Sequence, residues 1–220
     1  MIRCRMRRLT FVFAALAAIP LLSGAGQPAP QRLYNAYSDA EKADLDKVSA
    51  YLNSIHTLKS GFIQIGPEGG ADQGVLYIEK PGRIRFEYRP PNPLLIVATG
   101  GALYVKNARL NTLDKYDLSD TPLGLLLNEN VDLARNKAVM GVDEREGNIV
   151  VRARSSNSRN NSNITLVFSL PGIELRQWTI KDNQGGVTTV ALQNPTPGAA
   201  LDEALFAAPQ KTPRQKVGAN

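Results

Sequence analysis

The stretch Gly74-Val75-Leu76-Tyr77-Ile78-Glu79-Lys80-Pro81-Gly82-Arg83-Ile84-Arg85-Phe86-Glu87-Tyr88 decides the fold. In Arg83 to Tyr88, charged and apolar side chains alternate strictly. Successive side chains of a strand point to opposite faces, so this strand has one face in an apolar environment and the other in water. Val75 to Glu79 forms a second strand, ended by Pro81-Gly82, because proline lacks the ladder donor and glycine adopts turn conformations.

The same grammar continues in both directions. Upstream, Phe62 and Ile65 sit in a first strand, and Gly66-Pro67-Glu68-Gly69-Gly70 is turn sequence. Before Leu58 the period is helical: Ser38-Asp39-Ala40-Glu41 has the form of a capping box, and Leu45, Val48, Leu52 and Ile55 recur on one face. An amphipathic helix is expected over 39–54. Downstream, Pro90-Pro91-Asn92-Pro93 breaks the chain. Leu94 to Ala98 and Ala102 to Lys106 then pair through Gly100-Gly101. Later strands are expected at Ile149 to Arg154, Ile164 to Leu170, Leu175 to Lys181 and Val187 to Leu192. Ser155 to Asn163 and Asp182 to Gly186 are their hairpin connections. These connections are short, so the sheet is antiparallel and meandering. In the middle, Asp120-Thr121-Pro122 can cap a short helix with proline at its first position. Leu123, Leu125, Leu126 and Leu127 make that helix almost wholly apolar around Gly124, so it must lie against an apolar surface. The chain is therefore mainly β with an α+β character. One long sheet is either curved around helical segments or closed into a barrel decorated by them.

Composition narrows the class. With 220 residues, 43% hydrophobic and 21% charged, the chain suits one folded domain. The net charge of +6 falls to +2 once Arg3, Arg5, Arg7 and Arg8 are set aside. Those four precede Leu9 to Leu22, an apolar run that Pro20 interrupts, followed by Ser23-Gly24-Ala25-Gly26. That order is the pattern of a secretory signal peptide, and the run is shorter than the roughly 18–20 residues a spanning helix needs. Cleavage is expected after Ala25, with Gly26 as the alternative. The expected organisation is a leader over 1–25, a flexible lead-in over 26–37, one domain over 38–209 and a disordered tail over 210–220. Cys4 precedes the apolar run, which excludes it as a lipid-modified cysteine, and the remainder has no thiol. No segment interleaves basic residues densely with aromatics, so no nucleic-acid partner is expected.

Residues for catalysis are sparse. His56 is the one histidine and sits at the end of the first helix, where a surface or capping role is the simpler reading. Asp143, Glu144 and Glu146 cluster without a calcium-loop pattern. There is no phosphate-binding glycine loop and no Gly-x-Ser-x-Gly turn. No catalytic residue, metal or cofactor is assigned, and the chain is not expected to be an enzyme.

The order of these segments resembles the LolA family. Leu45-Asp46-Lys47-Val48 with Phe62-Ile63-Gln64 is similar to the family's helix and first strand, and Gly74 to Tyr88 to its most recognisable segment. Pro90-Pro91, Ile96-Val97-Ala98 and Gly101-Ala102-Leu103-Tyr104 continue the likeness. Thr121-Pro122-Leu123 with Leu125 to Leu127 resembles the lid helix. Leu175 to Ile180, the Asp182 to Gly186 turn, and Phe206 with Pro209 resemble the end. The likeness runs from about Leu45 to Pro209.

The resemblance implies an incomplete antiparallel barrel, a half-barrel whose hydrophobic cavity is covered by lid helices. It implies a periplasmic carrier that takes the acyl chains of lipoproteins from an inner-membrane ABC-type release complex to an outer-membrane receptor of similar fold. Cavity-facing residues would be Ile84, Phe86 and Tyr88, followed by Leu76, Ile78, Leu94, Ile96 and Leu103; Leu123, Leu125, Leu126 and Leu127 would form the lid. On alternation alone, these residues would equally fill a closed core. Lys80 stands where the family often has an arginine bonded to lid carbonyls. Lysine lacks the planar fork, so Lys80 is a candidate lid latch or a solvated turn residue. A monomer is expected. The alternatives are a carrier of another lipid or glycolipid, or a non-enzymatic envelope sensor domain on the same fold.

Overall fold

The computed structural model describes residues 36–155 and 162–211. The expected leader, most of the lead-in, the middle of the Ser155–Asn163 loop and the end of the tail lie outside the described residues. Helix α1 spans Asp39–Ser54 and begins as its sequence requires. The Ser38 hydroxyl accepts from the Glu41 N–H, and the Glu41 carboxylate accepts from the Ser38 N–H. Eleven strands follow: β1 (Thr57–Ile65), β2 (Ala71–Glu79), β3 (Arg83–Tyr88), β4 (Leu94–Thr99), β5 (Ala102–Asn107), β6 (Thr112–Asp117), β7 (Val139–Arg145), β8 (Asn148–Arg154), β9 (Asn163–Ser169), β10 (Glu174–Lys181) and β11 (Val187–Pro197). Between β6 and β7 lie a 3₁₀ turn, Leu118–Asp120, and helix α2, Gly124–Leu127.

The strands form one antiparallel sheet in the order β6-β5-β4-β3-β2-β1-β11-β10-β9-β8-β7, with β6 and β7 as its two edges. The sheet is open, so the closed-barrel alternative is set aside. Its halves meet in the β1–β11 ladder, where Phe62 opposes Leu192 and Gln64 opposes Val190. Ile84 and Phe86 of β3 share one buried cluster with Ile149 and Val151 of β8 and with Leu45, Val48 and Leu52 of α1. Both halves thus bury the same face against the same helix, which requires the sheet to curl round it.

Four expectations are corrected. Thr112–Asp117 is an edge strand, exposed at five of its six positions, so it carries no period-two signal. Val139–Arg145 is also a strand; a register shift between Val139 and Gly141 breaks its alternation, and it contains Asp143 and Glu144, while Glu146 lies in the turn to β8. Helix α2 is a single turn that begins after Pro122 and Leu123, and no side chain caps it. The cap lies earlier, where the Asp117 carboxylate accepts from the Ser119 N–H of the 3₁₀ turn. Finally, β2 begins at Ala71 and β11 runs on to Pro197, both beyond the apolar cores that mark them in the sequence.

The crossover from β6 to β7 is fastened to α1. The Asn53 side chain donates to the Val131 carbonyl at 2.9 Å and accepts from the Val131 N–H at 2.8 Å. The Ser49 hydroxyl donates to Leu45 O at 2.6 Å and accepts from the Leu133 N–H at 3.0 Å. Tyr37, the last residue of the expected lead-in, is buried and donates to Val139 O. On the opposite face of the sheet, the 3₁₀ turn Glu203–Phe206 packs on β3 and β4. There Arg83 lies 5.4 Å over the Phe206 ring, and Arg85 donates to Leu205 O at 2.9 Å.

Gly74 shows how tightly the sheet is packed. It lies between Phe62 on β1 and Tyr88 on β3, and a Cβ there would meet Glu87 O and stand 2.6 Å from a Phe62 ring carbon. Gly74→Ala should therefore lower stability by about 3 kcal/mol or more, since backbone cannot yield as a side-chain tip can. Asn53→Ala should cost about 1–3 kcal/mol by leaving the Val131 amide and carbonyl unpaired. Urea unfolding followed by Trp178 fluorescence measures both; a Gly74→Ala loss smaller than that of Asn53→Ala would contradict the packing described.

Candidate functional site

Directly opposed residues of neighbouring strands share a face. Leu76 opposes Phe86 and Ile78 opposes Ile84; Phe86 in turn opposes Ile96, and Ala98 opposes both Ile84 and Leu103. Tyr88 and Leu94 continue the same alternation on β3 and β4. All eight residues singled out from the sequence therefore lie on the inner face. Leu76, Ile78, Ile84, Phe86 and Tyr88 are buried, whereas Leu94, Ile96 and Leu103 are half-buried and pack against the same cluster. The exposure rises towards the free edge, where Tyr116 opposes Leu103 and is 53% exposed.

Leu123, Leu125, Leu126 and Leu127 are all buried in that cluster. The loop after Pro81 holds their helix through backbone, because Gly82 N–H donates to Leu127 O at 2.9 Å. Lys80 does something different: its ammonium donates to Leu52 O, near the end of α1, at 2.9 Å. Its N–H donates to His56 O. Burial lowers the Lys80 pKa. Lys80, Leu52, Ile55, Leu58, Ile78, Leu126 and Leu175 enclose a crevice of only about 10 Å³, room for roughly one water.

Aromatic rings fill its centre. Phe62 makes edge-to-face contacts with Phe86 at 5.4 Å and Tyr88 at 5.2 Å, and Phe86 meets Trp178 at 6.2 Å. Such geometry adds about 0.5–1.5 kcal/mol per pair beyond area burial. The sequence reading did not nominate Trp178, nor Ile164, Leu166 and Phe168 of β9, which face inward as well. The alternation Ile164-x-Leu166-x-Phe168 was available as a signal. None existed for Val131, Leu133 and Ala134, which are buried apolar residues within a polar stretch.

The surface is thus apolar and aromatic, with a polar tip where Tyr88 donates to Gln64 Oε1 at 2.7 Å. Among the described residues, no group of three or more His, Cys, Asp or Glu could hold a metal ion. His56 is exposed, with Nδ1 3.3 Å from Ser54 O. Chemically, this arrangement can accept apolar chains.

Burial pushes the Tyr88 phenol up to about 12. Because the folded pKa lies above the unfolded value of about 10, the stabilisation is full below pH 10 and is lost as pH rises towards 12. The expected fall is about 2–3 kcal/mol. In Tyr88→Phe the drop in urea midpoint between pH 9.5 and 11.5 should be smaller than in the parent; equal drops would contradict this.

Sequence comparisons with known proteins point to one family. The family model described as outer membrane lipoprotein carrier protein LolA matches residues 53–209. An outer-membrane lipoprotein carrier protein of Methylococcus capsulatus is 26% identical over 178 residues, covering 77% of this chain and 85% of that protein. A protein of the same name from Dechloromonas aromatica is 27% identical, covering 76% and 84%. Among solved structures, a LolA superfamily protein from Nitrosomonas europaea superposes with a TM-score of 0.40 at 8% identity, over 74% of this chain and 97% of that one. With most of the domain matched by the family model, this chain belongs to the LolA family of outer membrane lipoprotein carrier proteins.

Proposed function

We propose that this protein carries acylated lipoproteins across the periplasm, holding their acyl chains against the inner face of the sheet, and that it catalyses no reaction. One observation carries the reading: the inner-face residues and the four lid leucines form a single apolar cluster. The relatives named as lipoprotein carriers support the class of cargo. The Met1 to Ala25 pattern supports export, and the cargo would come from an inner-membrane ABC-type release complex and pass to an outer-membrane receptor.

Each acyl methylene exposed to water costs about 0.8 kcal/mol, so a lipoprotein does not leave its membrane unaided. A carrier must offer comparable apolar contact and hide it when empty. Each leucine of α2 gains about 1.5–3 kcal/mol from burial, which keeps the empty site shut. An arriving chain replaces those contacts with its own, so displacing α2 and its flanks becomes an exchange between near equals. Near-balance of that kind permits release at the far membrane. Lys80 is assigned here to the α1 side of the cover, through Leu52 O, and the hold on α2 to the backbone of Gly82.

The test adds the purified protein to spheroplasts displaying a labelled outer-membrane-type lipoprotein and counts label in the soluble fraction. Release should require the protein and fall at least tenfold in Phe86→Ala and Leu126→Ala variants that retain their β-sheet circular dichroism. Absence of release, with a control carrier active in the same assay, would refute lipoprotein carriage.

A further inference from the structure

The crossover that closes the gap between the sheet edges leaves a second, unlike cavity at its seam. It measures about 180 Å³, far more than the apolar crevice. Ser119, Thr121, Leu125 and Asn128 line it from the segment containing α2, and Asn136 and Arg154 from the β7–β8 side. The two sides touch nearby, where the Ser155 hydroxyl donates to Asp120 O.

The polar inventory of this cavity is one-sided. Arg83, Arg85, Arg135, Arg145, Arg152 and Arg176 each pair with a carboxylate. Among the described residues Arg89, Arg109 and Arg154 have no carboxylate partner; Arg89 and Arg109 are exposed, whereas Arg154 is half-buried, and no described Asp or Glu lines its cavity. Asn136 uses its carbonyl oxygen to accept from the Ala138 N–H, leaving its amide hydrogens as the free capacity. The hydroxyls of Ser119 and Thr121 already donate to Asp117 and Leu118 O. A planar guanidinium in a partly desolvated pocket, unopposed by any carboxylate, pairs most strongly with an oxyanion through two parallel bonds. Leu125 adds an apolar wall, which suits an oxyanion borne on an organic group.

We infer that this seam is a binding site for a phosphate-type oxyanion, with Arg154 as its principal ligand. Two sources share that chemistry: the headgroup of an anionic phospholipid and a free phosphate ion. A bound oxyanion would bridge the α2 segment to the β7–β8 end and so hold the cover in place. The site is independent of the lipoprotein-carrier reading, and its failure would leave that reading intact.

Calorimetric titration of the purified protein with inorganic phosphate and with glycerophosphoglycerol, an acyl-free phospholipid headgroup, tests it. At least one probe should bind saturably with Kd of about 1 mM or tighter. Arg154→Gln should weaken that binding at least tenfold and Arg154→Lys should restore part of it, whereas Arg176→Gln, on the exposed surface, should leave it unchanged. At least tenfold tighter binding of glycerophosphoglycerol identifies the headgroup as the source; equal binding identifies the free ion. No saturable binding of either probe, or binding that Arg154→Gln retains, would overturn the assignment.

Discussion

An open sheet with an apolar inner face cannot stand uncovered in water, and that constraint organises the rest of the molecule. A closed barrel of eleven strands would satisfy its edges by pairing them; here β6 and β7 stay apart, and the chain between them has to span the gap. The crossover therefore serves as connection and cover at once. Its leucines and Val131 join the same buried cluster as the inward residues of the strands.

The two helical parts of the cover are held very differently. Helix α1 has sixteen residues and a complete capping box; Asn53 donates to the Val131 carbonyl, and the Ser49 and Tyr51 hydroxyls accept from the Leu133 and Leu175 N–H groups. Helix α2 has four residues, too few for independent helical stability, and no side-chain cap. Burial of its leucines and the Gly82 N–H bond to Leu127 O hold it in place. On the proposed carrier function, an acyl chain competing for the same apolar surface takes from α2 the interaction that positions it, whereas α1 retains its polar ties. On that reading α1 is the fixed wall and α2 the movable cover. This also accounts for Lys80, which supports the fixed wall through Leu52 O.

Where one face of an element is wet and the other dry, the sequence was a good guide. The alternation of Arg83 to Tyr88 appears in the structure as alternating half-buried and buried residues, and the capped helix occupies Asp39–Ser54 as read. The edge strand β6 gave no such signal because both its faces are largely wet, and β7 gave none because its irregular register defeats a period of two. The inward residues of β1, β9 and β10 were legible as strand residues but not as site residues. Only the curl of the sheet brings Trp178 against Phe86, and no local pattern reports a long-range curl. The seam at Arg154 was invisible for the same reason, since it joins segments some thirty residues apart along the chain.

The proposed carrier function requires α2 to be the part that yields. Hydrogen exchange of the backbone amides, with and without a diacylated lipopeptide, addresses it directly. The Leu126, Leu127 and Asn128 amides, which donate to Leu123 O and Gly124 O, should change their exchange at least tenfold on binding. Those of Phe62 and Gln64 in the β1–β11 region and those in the middle of α1 should hold theirs. Exchange unchanged across 118–128 despite bound lipopeptide, or changed equally in α1 and the central ladder, would contradict a movable cover on a fixed half-barrel.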